Sequence, residues 1–158
     1  MMRAMPNTPP NTRIERPGSF TRCYGCGPDN RLGLALSFFR AGDLVEASFQ
    51  PRPEHGGYGR LLHGGVTAAL IDEAFGWALY GLLGKIGMTT DMEVKFSAPL
   101  YCDDAIQVRG SIVEASAQAA TVRAEVVAAG ERVGAVGVGR MRFASLRAIE
   151  RIGGFKVG

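Results

Sequence analysis

The residues from Gly64 to Gly84 constrain the fold of this chain more than any other segment. Placed on a helix, they carry apolar side chains on nearly every side, and Asp72 and Glu73 are their only charged residues. A helix that is apolar all round is buried inside a fold. The two acids interrupt the apolar stretch and argue against a membrane span. We therefore predict a long helix in the core of a globular domain.

After this helix the hydropathy pattern changes to a period of two, which is typical of strands with one buried face. Four strands are predicted, at residues 88–98, 105–117, 119–129 and 132–144. Strands of this length favour a strongly curved sheet. Gly134, Gly137 and Gly139 in the last of them would let a bulky helix approach closely.

Two further strands are predicted before the helix, at residues 34–40 and 44–50, because they flank the turn Ala41-Gly42-Asp43. Residues 1–19 contain four prolines and no periodicity, so we expect a flexible N-terminal tail there, and residues 147–158 are expected to form a short C-terminal tail. The remaining residues, 20–146, are predicted to form one α+β domain, in which a mainly antiparallel sheet wraps around one buried helix.

Charge and cysteine content exclude several classes of protein. Eighteen basic and fifteen acidic residues give a net charge of +3 with no basic run, so no nucleic-acid partner is expected. Three cysteines are too few, and odd in number, for a disulfide framework. The N-terminal residues lack the apolar region of a secretory signal. We expect a cytoplasmic protein with neither a nucleic-acid nor a membrane partner.

The best candidates for catalytic residues lie at the start of the long helix. Gly64 and Gly65 follow His63, and two glycines that open a helix present unpaired N–H groups at its positive end. Asp72 lies about two turns further along, where apolar surroundings would raise the pKa of its carboxyl. Ordinary interpretations are also open: His63 as a cap-region residue, the glycines as a common loop-to-helix device, and Asp72 with Glu73 as an exposed pair at a helix kink.

A His-Gly-Gly motif with an acid nine residues after the His, on the central helix, resembles the hotdog-fold acyl-CoA thioesterases. The branch typified by the phenylacetate-degradation thioesterase is the most similar. Residues 54–62 and 23–34 are also similar to bacterial members, and the resemblance covers about residues 20–145. It implies a hotdog fold and hydrolysis of an acyl-CoA thioester to a free acid and coenzyme A, without a cofactor or metal. It also implies a homodimer or a homotetramer (a dimer of dimers), with each site between two subunits.

The resemblance also implies roles for the helix residues. The backbone N–H of Gly64, next to Gly65, would hold the thioester carbonyl and the developing oxyanion. Asp72 of the opposite subunit would act as general base on water or as nucleophile, and His63 would orient the carbonyl or the loop. Glu73 is the alternative acid. Because adjacent helical residues are about 100° apart, at most one of the two acids is expected to face the site.

Two further positions are assigned by the resemblance. Thr89 matches a position whose hydroxyl helps to hold the water, and Thr90 is the alternative if the strand register slips by one. Many relatives carry Asn or Gln shortly before the His. Gly57 stands at the matching place here, so this polar contact is missing or replaced, with His55 as a candidate that could line the acyl entrance or remain an ordinary loop residue.

The pair Cys23-x-x-Cys26 invites a zinc or redox interpretation. A zinc site needs four ligands, and only Cys102 and two histidines remain in the sequence. We therefore interpret the pair as turn packing and expect no metal site. Basic residues that alternate on the predicted strands, or follow them, form a solvated face or bind the phosphates of coenzyme A; they are Lys95, Arg123, Arg140, Arg142 and Arg147.

Two other functions remain as alternatives. A non-catalytic acyl-CoA binder or sensor is compatible with Gly57, whereas an acid at position 72 argues against it. A hotdog hydratase or dehydratase ranks last. Those enzymes typically use an Asp followed five residues later by a His, and neither His55 nor His63 has an Asp five residues earlier.

Overall fold

A seven-stranded antiparallel sheet and one long helix dominate the computed structural model, which describes residues 11–16 and 20–156. The long helix, α1, spans Gly64–Leu83, and a short helix, α2, spans Leu146–Gly153. The strands are β1 (Thr12–Arg13), β2 (Phe39–Ala41), β3 (Leu44–Phe49), β4 (Gly87–Phe96), β5 (Ile106–Ala115), β6 (Ala119–Ala128) and β7 (Arg132–Phe143). They lie in the order β1-β2-β3-β5-β6-β7-β4. The predicted α+β architecture is confirmed.

Helix α1 begins and ends at residues suited to those positions. His63 caps the N-terminus, where its Nδ1 accepts a hydrogen bond from the N–H of Gly65. Gly84 follows the last turn with a φ of +64°, a left-handed conformation that glycine adopts without strain. Its N–H donates to the carbonyl of Tyr80. The helix is therefore predicted to within one residue.

The larger side chains of α1 pack on the concave face of the sheet. Leu70, Ile71 and Phe75 are fully buried there. A Cβ at Gly137 would lie 2.3 Å from Ile71, and one at Gly139 would lie 2.5 Å from Phe75. These two glycines of β7 let the helix approach closely, as predicted, whereas Gly134 lies against Leu100 instead. Burial of each such side chain stabilises the fold by about 1.5–3 kcal/mol.

The prediction of a helix buried on every side is wrong. Gly64, Gly65 and Asp72 are exposed, and Ala68 is only partly buried. This side of α1 consists of small residues and one acid, whereas the bulky residues lie on the sheet side. By length and composition α1 could also cross a membrane, a property that the core helices of globular proteins share.

The four strands after α1 lie within the predicted ranges or within one residue of them. The prediction for residues 34–40 is wrong over most of its length, because only Phe39 and Arg40 of this segment belong to β2. Leu34, Leu36 and Phe38 are buried alternately without strand pairing, and the positive φ of +50° at Ala35 interrupts the extended conformation. Alternate burial in this segment thus produces the hydropathy pattern of a strand, although within the described residues the segment pairs with no strand before Phe39.

The described parts of both predicted tails carry secondary structure. β1 pairs with β2, although residues 1–10 and 17–19 of the predicted N-terminal tail lie outside the described residues. Most of α2 lies in the predicted C-terminal tail, and Ser145, just before the helix, caps it by accepting from the N–H of Ala148. Residues 157–158 lie outside the described part.

Strand β4 forms one edge of the sheet. Met88, Met92 and Phe96 on this strand are exposed, Phe96 to 60%. An edge strand leaves half of its backbone N–H and C=O groups without strand partners, and pairing with another strand would satisfy them. This edge runs beside the exposed side of α1.

Candidate active site

The N-terminus of α1 offers one free hydrogen-bond donor. The N–H of Gly65 donates to Nδ1 of His63 at 2.8 Å, and the N–H groups of Val66 and Thr67 donate to the carbonyl of His63. The N–H of Gly64 has no acceptor within residues 11–16 and 20–156. It lies at the positive end of the helix dipole, where it can bind an oxygen that carries negative charge.

A pocket of about 380 Å³ lies beside Gly64. Its lining is mostly apolar and comes from the start of α1, the end of β4, the start of β7 and the loops before α1 and after β4: Leu61, Leu62, Gly64, Thr67, Phe96, Ser97, Ala98, Pro99, Leu100 and Gly134. A carbonyl group that entered this pocket would find the N–H of Gly64 at its edge. The exposed ring of Phe96 forms part of its wall.

The carboxylate of Asp72 is held by one hydroxyl. Oγ1 of Thr89 donates to Oδ1 of Asp72 at 2.7 Å. A bulge in the pairing of β4 with β7 falls between Thr89 and Asp91. The hydroxyl of Thr90 lies 3.0 Å from Asp91 and 3.1 Å from the carbonyl oxygen of Arg140. Of the two predicted threonines, the structure thus brings Thr89 to the acid.

The prediction that Asp72 is buried is wrong for the single chain, because its side of α1 is exposed. Asp72 is eight residues after Gly64, which corresponds to about 12 Å along a helix. A base and an oxyanion donor must reach atoms of the same thioester, within hydrogen-bond distance. Gly64 and Asp72 of one chain are too far apart for this, so a shared site needs groups from two chains.

The loop before α1 places Gly57 against His63. A Cβ at position 57 would lie 3.5 Å from Cδ2 of the His63 ring. The N–H of Gly57 donates to the carbonyl of Leu61 at 2.7 Å, which fixes the turn. As the sequence predicts, position 57 offers no polar side chain, and Gly57 lies instead beside the exposed ring of His63.

His55 does not line an entrance, contrary to one of the two predicted possibilities. It is 5% exposed, and its ring centre lies 5.3 Å from that of Phe49. Its Nδ1 accepts from the backbone N–H of Arg52 at 3.0 Å. Burial, followed by the nearby Arg52 guanidinium, lowers the pKa of His55. The structure makes it an internal support of the loop.

Glu73 points away from Asp72, as expected for adjacent helical residues. Its Oε1 accepts from Nε1 of Trp77 at 3.0 Å and lies 3.9 Å from the sulfur of Cys23. Burial raises the pKa of Glu73, and the negative charge of Cys23 raises it further. Glu73 is therefore part of an internal cluster, and of the two acids Asp72 is the one on the exposed side of α1.

The two cysteines near Glu73 differ in their ionisation. Hydrogen bonds from the Cys26 thiol and from backbone N–H groups lower the pKa of Cys23 to about 5, although burial opposes this. The same thiol–thiol hydrogen bond and burial raise the pKa of Cys26. Sequence reasoning singled out the cysteine pair but missed Glu73 as its neighbour, since 47 residues separate Glu73 from Cys26.

The basic residues predicted for phosphate binding fall into two groups. Arg123 lies 3.1 Å from Glu125, and Lys95 lies 3.5 Å from Glu93, so these two are engaged in exposed ion pairs. The others have no ion pair within the described part of the chain; they are Arg140, Arg142 and Arg147. Those three remain available to an anionic group.

Comparisons with known proteins agree with this architecture. Residues 59–135 match the sequence model of the Thioesterase superfamily. The crystal structure of AziG from S. sahachiroi is similar, with a TM-score of 0.65 and 26% identity over 72% of this chain and 94% of that chain. A search of curated proteins gives no match.

Two other solved structures share the fold. The E. coli PaaI protein from the phenylacetic acid degradation operon gives a TM-score of 0.66 and 16% identity, covering 71% of this chain and 81% of that one. A hypothetical thioesterase from Streptococcus pneumoniae, solved with coenzyme A, gives a TM-score of 0.64 and 16% identity, covering 70% of this chain and 86% of that one. The resemblance inferred from the sequence is confirmed: this is a hotdog fold, and residues 59–135, which hold α1 and most of the sheet, match the thioesterase superfamily.

Proposed function

We propose that this protein hydrolyses an acyl-CoA thioester to a free acid and coenzyme A. One observation carries the proposal: the unpaired N–H of Gly64 and the Asp72–Thr89 pair lie on the same exposed side of α1. The first can stabilise an oxyanion, and the second can activate water. The match of residues 59–135 to the thioesterase superfamily supports the reaction class, and the structurally similar protein solved with coenzyme A supports the kind of substrate.

The proposal includes a second copy of the chain. Gly64, Ala68, Asp72 and Gly76 are spaced by four residues and form one ridge of α1, of which three members are small. Two such helices in antiparallel contact near Ala68 would place Gly64 of one chain opposite Asp72 of the other. The edge strand β4, with its exposed apolar side chains, would extend the same contact. A homodimer is therefore the minimal unit, and pairs of dimers would give a homotetramer.

In the proposed reaction, the N–H of Gly64 donates to the thioester carbonyl and polarises it. Asp72 accepts a proton from a water molecule, whose oxygen then attacks the carbonyl carbon. The hydroxyl of Thr89 orients the carboxylate. The tetrahedral intermediate carries its negative charge against Gly64, and its collapse breaks the carbon–sulfur bond. The thiolate of coenzyme A leaves and takes the proton from Asp72.

A direct attack by Asp72 is the alternative chemistry. It would form a mixed anhydride, which water then hydrolyses. A single turnover in ¹⁸O-labelled water distinguishes the two, because only the anhydride route can leave label in the Asp72 carboxylate. We favour the water route because Thr89 already holds the carboxylate in place.

Binding of the coenzyme would use the remaining positive charge. Arg140 and Arg142 on β7 and Arg147 on α2 can bind phosphate groups, because a guanidinium donates two parallel hydrogen bonds to such anions. The cytoplasmic location stays a prediction.

The experiment is a measurement of thiol release from a panel of acyl-CoA esters, with aromatic groups and with chains from C4 to C16. The wild type should release thiol from part of the panel, and the Asp72→Asn variant should not. Tight binding of acyl-CoA without release would instead favour the non-catalytic binder, with which Gly57 is compatible. Absence of both binding and release would overturn the proposal.

A further inference from the structure

The thioester chemistry leaves one cluster of reactive side chains without a role. Cys23, Cys26 and Glu73 place one ligand atom each within 4.8 Å of one another. The sequence offered only two thiols for a metal, whereas the fold brings in a carboxylate from α1 as a third ligand. The thiols come from a turn before β2 that packs on the opposite side of α1 from Gly64.

The turn that carries the thiols is held by backbone hydrogen bonds. The backbone N–H groups of Gly25 and Cys26 donate to the sulfur of Cys23 and hold it in place. The N–H of Gly27 donates to the carbonyl of Cys23 at 2.8 Å and closes the turn. A Cβ at Gly25 would lie 2.1 Å from Oε2 of Glu73. Only glycine at position 25 therefore lets the carboxylate reach the thiols.

Two side chains beside the cluster, those of Trp77 and Arg16, would stabilise three negatively charged ligands. Nε1 of Trp77 donates to Glu73 and orients its carboxylate, as groups around metal sites orient the ligands. The Nη2 group of Arg16 donates to the carbonyl of Cys26, and Nε of Arg16 is buried without a partner in the described residues. Two thiolates and a carboxylate around a divalent ion leave one net negative charge, which this guanidinium balances.

We propose that Cys23, Cys26 and Glu73 bind one Zn²⁺ ion in tetrahedral geometry. Zinc bonds of about 2.3 Å to sulfur and 2.0–2.2 Å to oxygen require ligand atoms about 3.5–3.8 Å apart, so distances within the cluster, now up to 4.8 Å, shorten by at most about 1.3 Å on binding. The fourth position faces a cavity of about 200 Å³, walled by Phe20, Trp77 and Tyr80, and takes a water molecule. The ion ties the segment before β2 to α1 at the residue next to Asp72.

The test measures zinc bound to the intact chain, purified under a reducing phosphine and loaded with zinc. The wild type should retain one zinc ion per chain by mass spectrometry under native conditions. Cys23→Ser and Cys26→Ser should reduce retention to background, and Glu73→Gln should weaken zinc binding by about tenfold or more. Cys102→Ser is the matched control, because it removes a thiol outside the cluster, and it should retain zinc like the wild type.

Cobalt(II) supplies an independent readout that does not depend on the variants being stable. The wild type should show a thiolate-to-cobalt charge-transfer band and the intense visible bands of a tetrahedral ion. The proposal is overturned if the wild type gives neither signal, if Cys102→Ser loses zinc as the cluster variants do, or if Glu73→Gln binds zinc as tightly as the wild type. A Cys23–Cys26 disulfide that persists under reduction and prevents zinc loading overturns it as well.

Discussion

Two neighbouring acids on α1 differ in their exposure to solvent and in their contacts. Asp72 is exposed and accepts one hydrogen bond, from Thr89, on a side of the helix made of small residues. Glu73 is turned toward Trp77 and the cysteine pair, and burial raises its pKa. A rotation of about 100° between adjacent residues separates them. One side of the helix is thus exposed, whereas the other is covered by the chain's own N-terminal segment.

The two sides of α1 also differ in the size of their side chains. Small side chains at Gly64, Ala68 and Gly76 contribute little to the core of the single chain, so they are free to shape a contact between copies. Bulky side chains on the other sides anchor the helix in the sheet. Position on the helix, rather than the identity of the acid, decides which carboxylate can meet a thioester.

The largest expected effect separates the two acids. Asp72→Asn should lower kcat by about 10²–10⁴-fold, the usual effect of removing a positioned acid–base group. Glu73→Gln keeps an acceptor for Trp77 and should lower kcat by less than about tenfold, within the modest effect expected of one neutral hydrogen bond. Steady-state thiol release measures both, with circular dichroism as a check of folding. A loss of less than about threefold in Asp72→Asn, far below that usual effect, would remove Asp72 as the base.

The next effect tests the open end of the helix. Gly64→Pro removes the N–H without breaking α1, because proline is favourable at the first helical position and His63 has the extended conformation that a following proline requires. We expect kcat to fall by about 10²–10³-fold, as for the loss of one oxyanion donor. Gly64→Ala retains the N–H and is the control, since its Cβ would make only ordinary contact with Phe96. Full activity in Gly64→Pro would contradict the assignment.

A smaller effect is expected on the strand beside Asp72. Thr89→Val removes the hydroxyl that holds the carboxylate and should reduce kcat by about tenfold, equivalent to one hydrogen bond to a charged group. Thr90→Val is the matched control, because its hydroxyl contacts Asp91 and not Asp72. Equal losses in the two variants would show that the bulge in β4 does not select Thr89.

The smallest effect concerns stability rather than turnover, and it compares the two histidines. His55 is buried with a lowered pKa, whereas His63 is an exposed helix cap. Protonation of His55 therefore favours the unfolded chain, and the free energy of unfolding should decrease as the pH falls below about 6.5, the ordinary pKa of histidine. Urea unfolding of the wild type and His55→Gln at pH 8 and pH 5 measures this. The variant should lose less stability than the wild type on acidification, and an equal loss would contradict the prediction.

Much of the fold follows from the sequence because its signals are local. The limits of α1 come from His63 and Gly84, and the period of two marks β4 to β7. The segment at residues 34–40 shows the limit of such patterns, since alternate burial of Leu34, Leu36 and Phe38 arises without a strand partner. Secondary structure in β1 and α2 depends on contacts and caps that hydropathy does not reveal.

The site was predictable as a set of residues but not as an arrangement. The motif on α1 indicated Gly64 and Asp72, but the apolar pattern wrongly predicted that Asp72 is buried. Glycine and alanine occur both in cores and on exposed sides of helices, so the pattern could not distinguish the two. The choice of Thr89 over Thr90 depends on a bulge in β4. The contact of Glu73 with Cys23 joins residues that are 50 apart in the sequence, and only the folded chain shows it.

Complementation between two inactive variants tests whether one active site is shared between two chains. Asp72→Asn and Gly64→Pro chains are unfolded together and refolded as an equal mixture, and thiol release is measured against each variant alone. If Asp72 of one chain serves Gly64 of the other, mixed dimers contain one intact site, and the mixture should recover about one quarter of wild-type activity in a two-fold symmetric dimer. No recovery, in a mixture shown by native mass spectrometry to contain mixed dimers, would contradict a site shared between two chains.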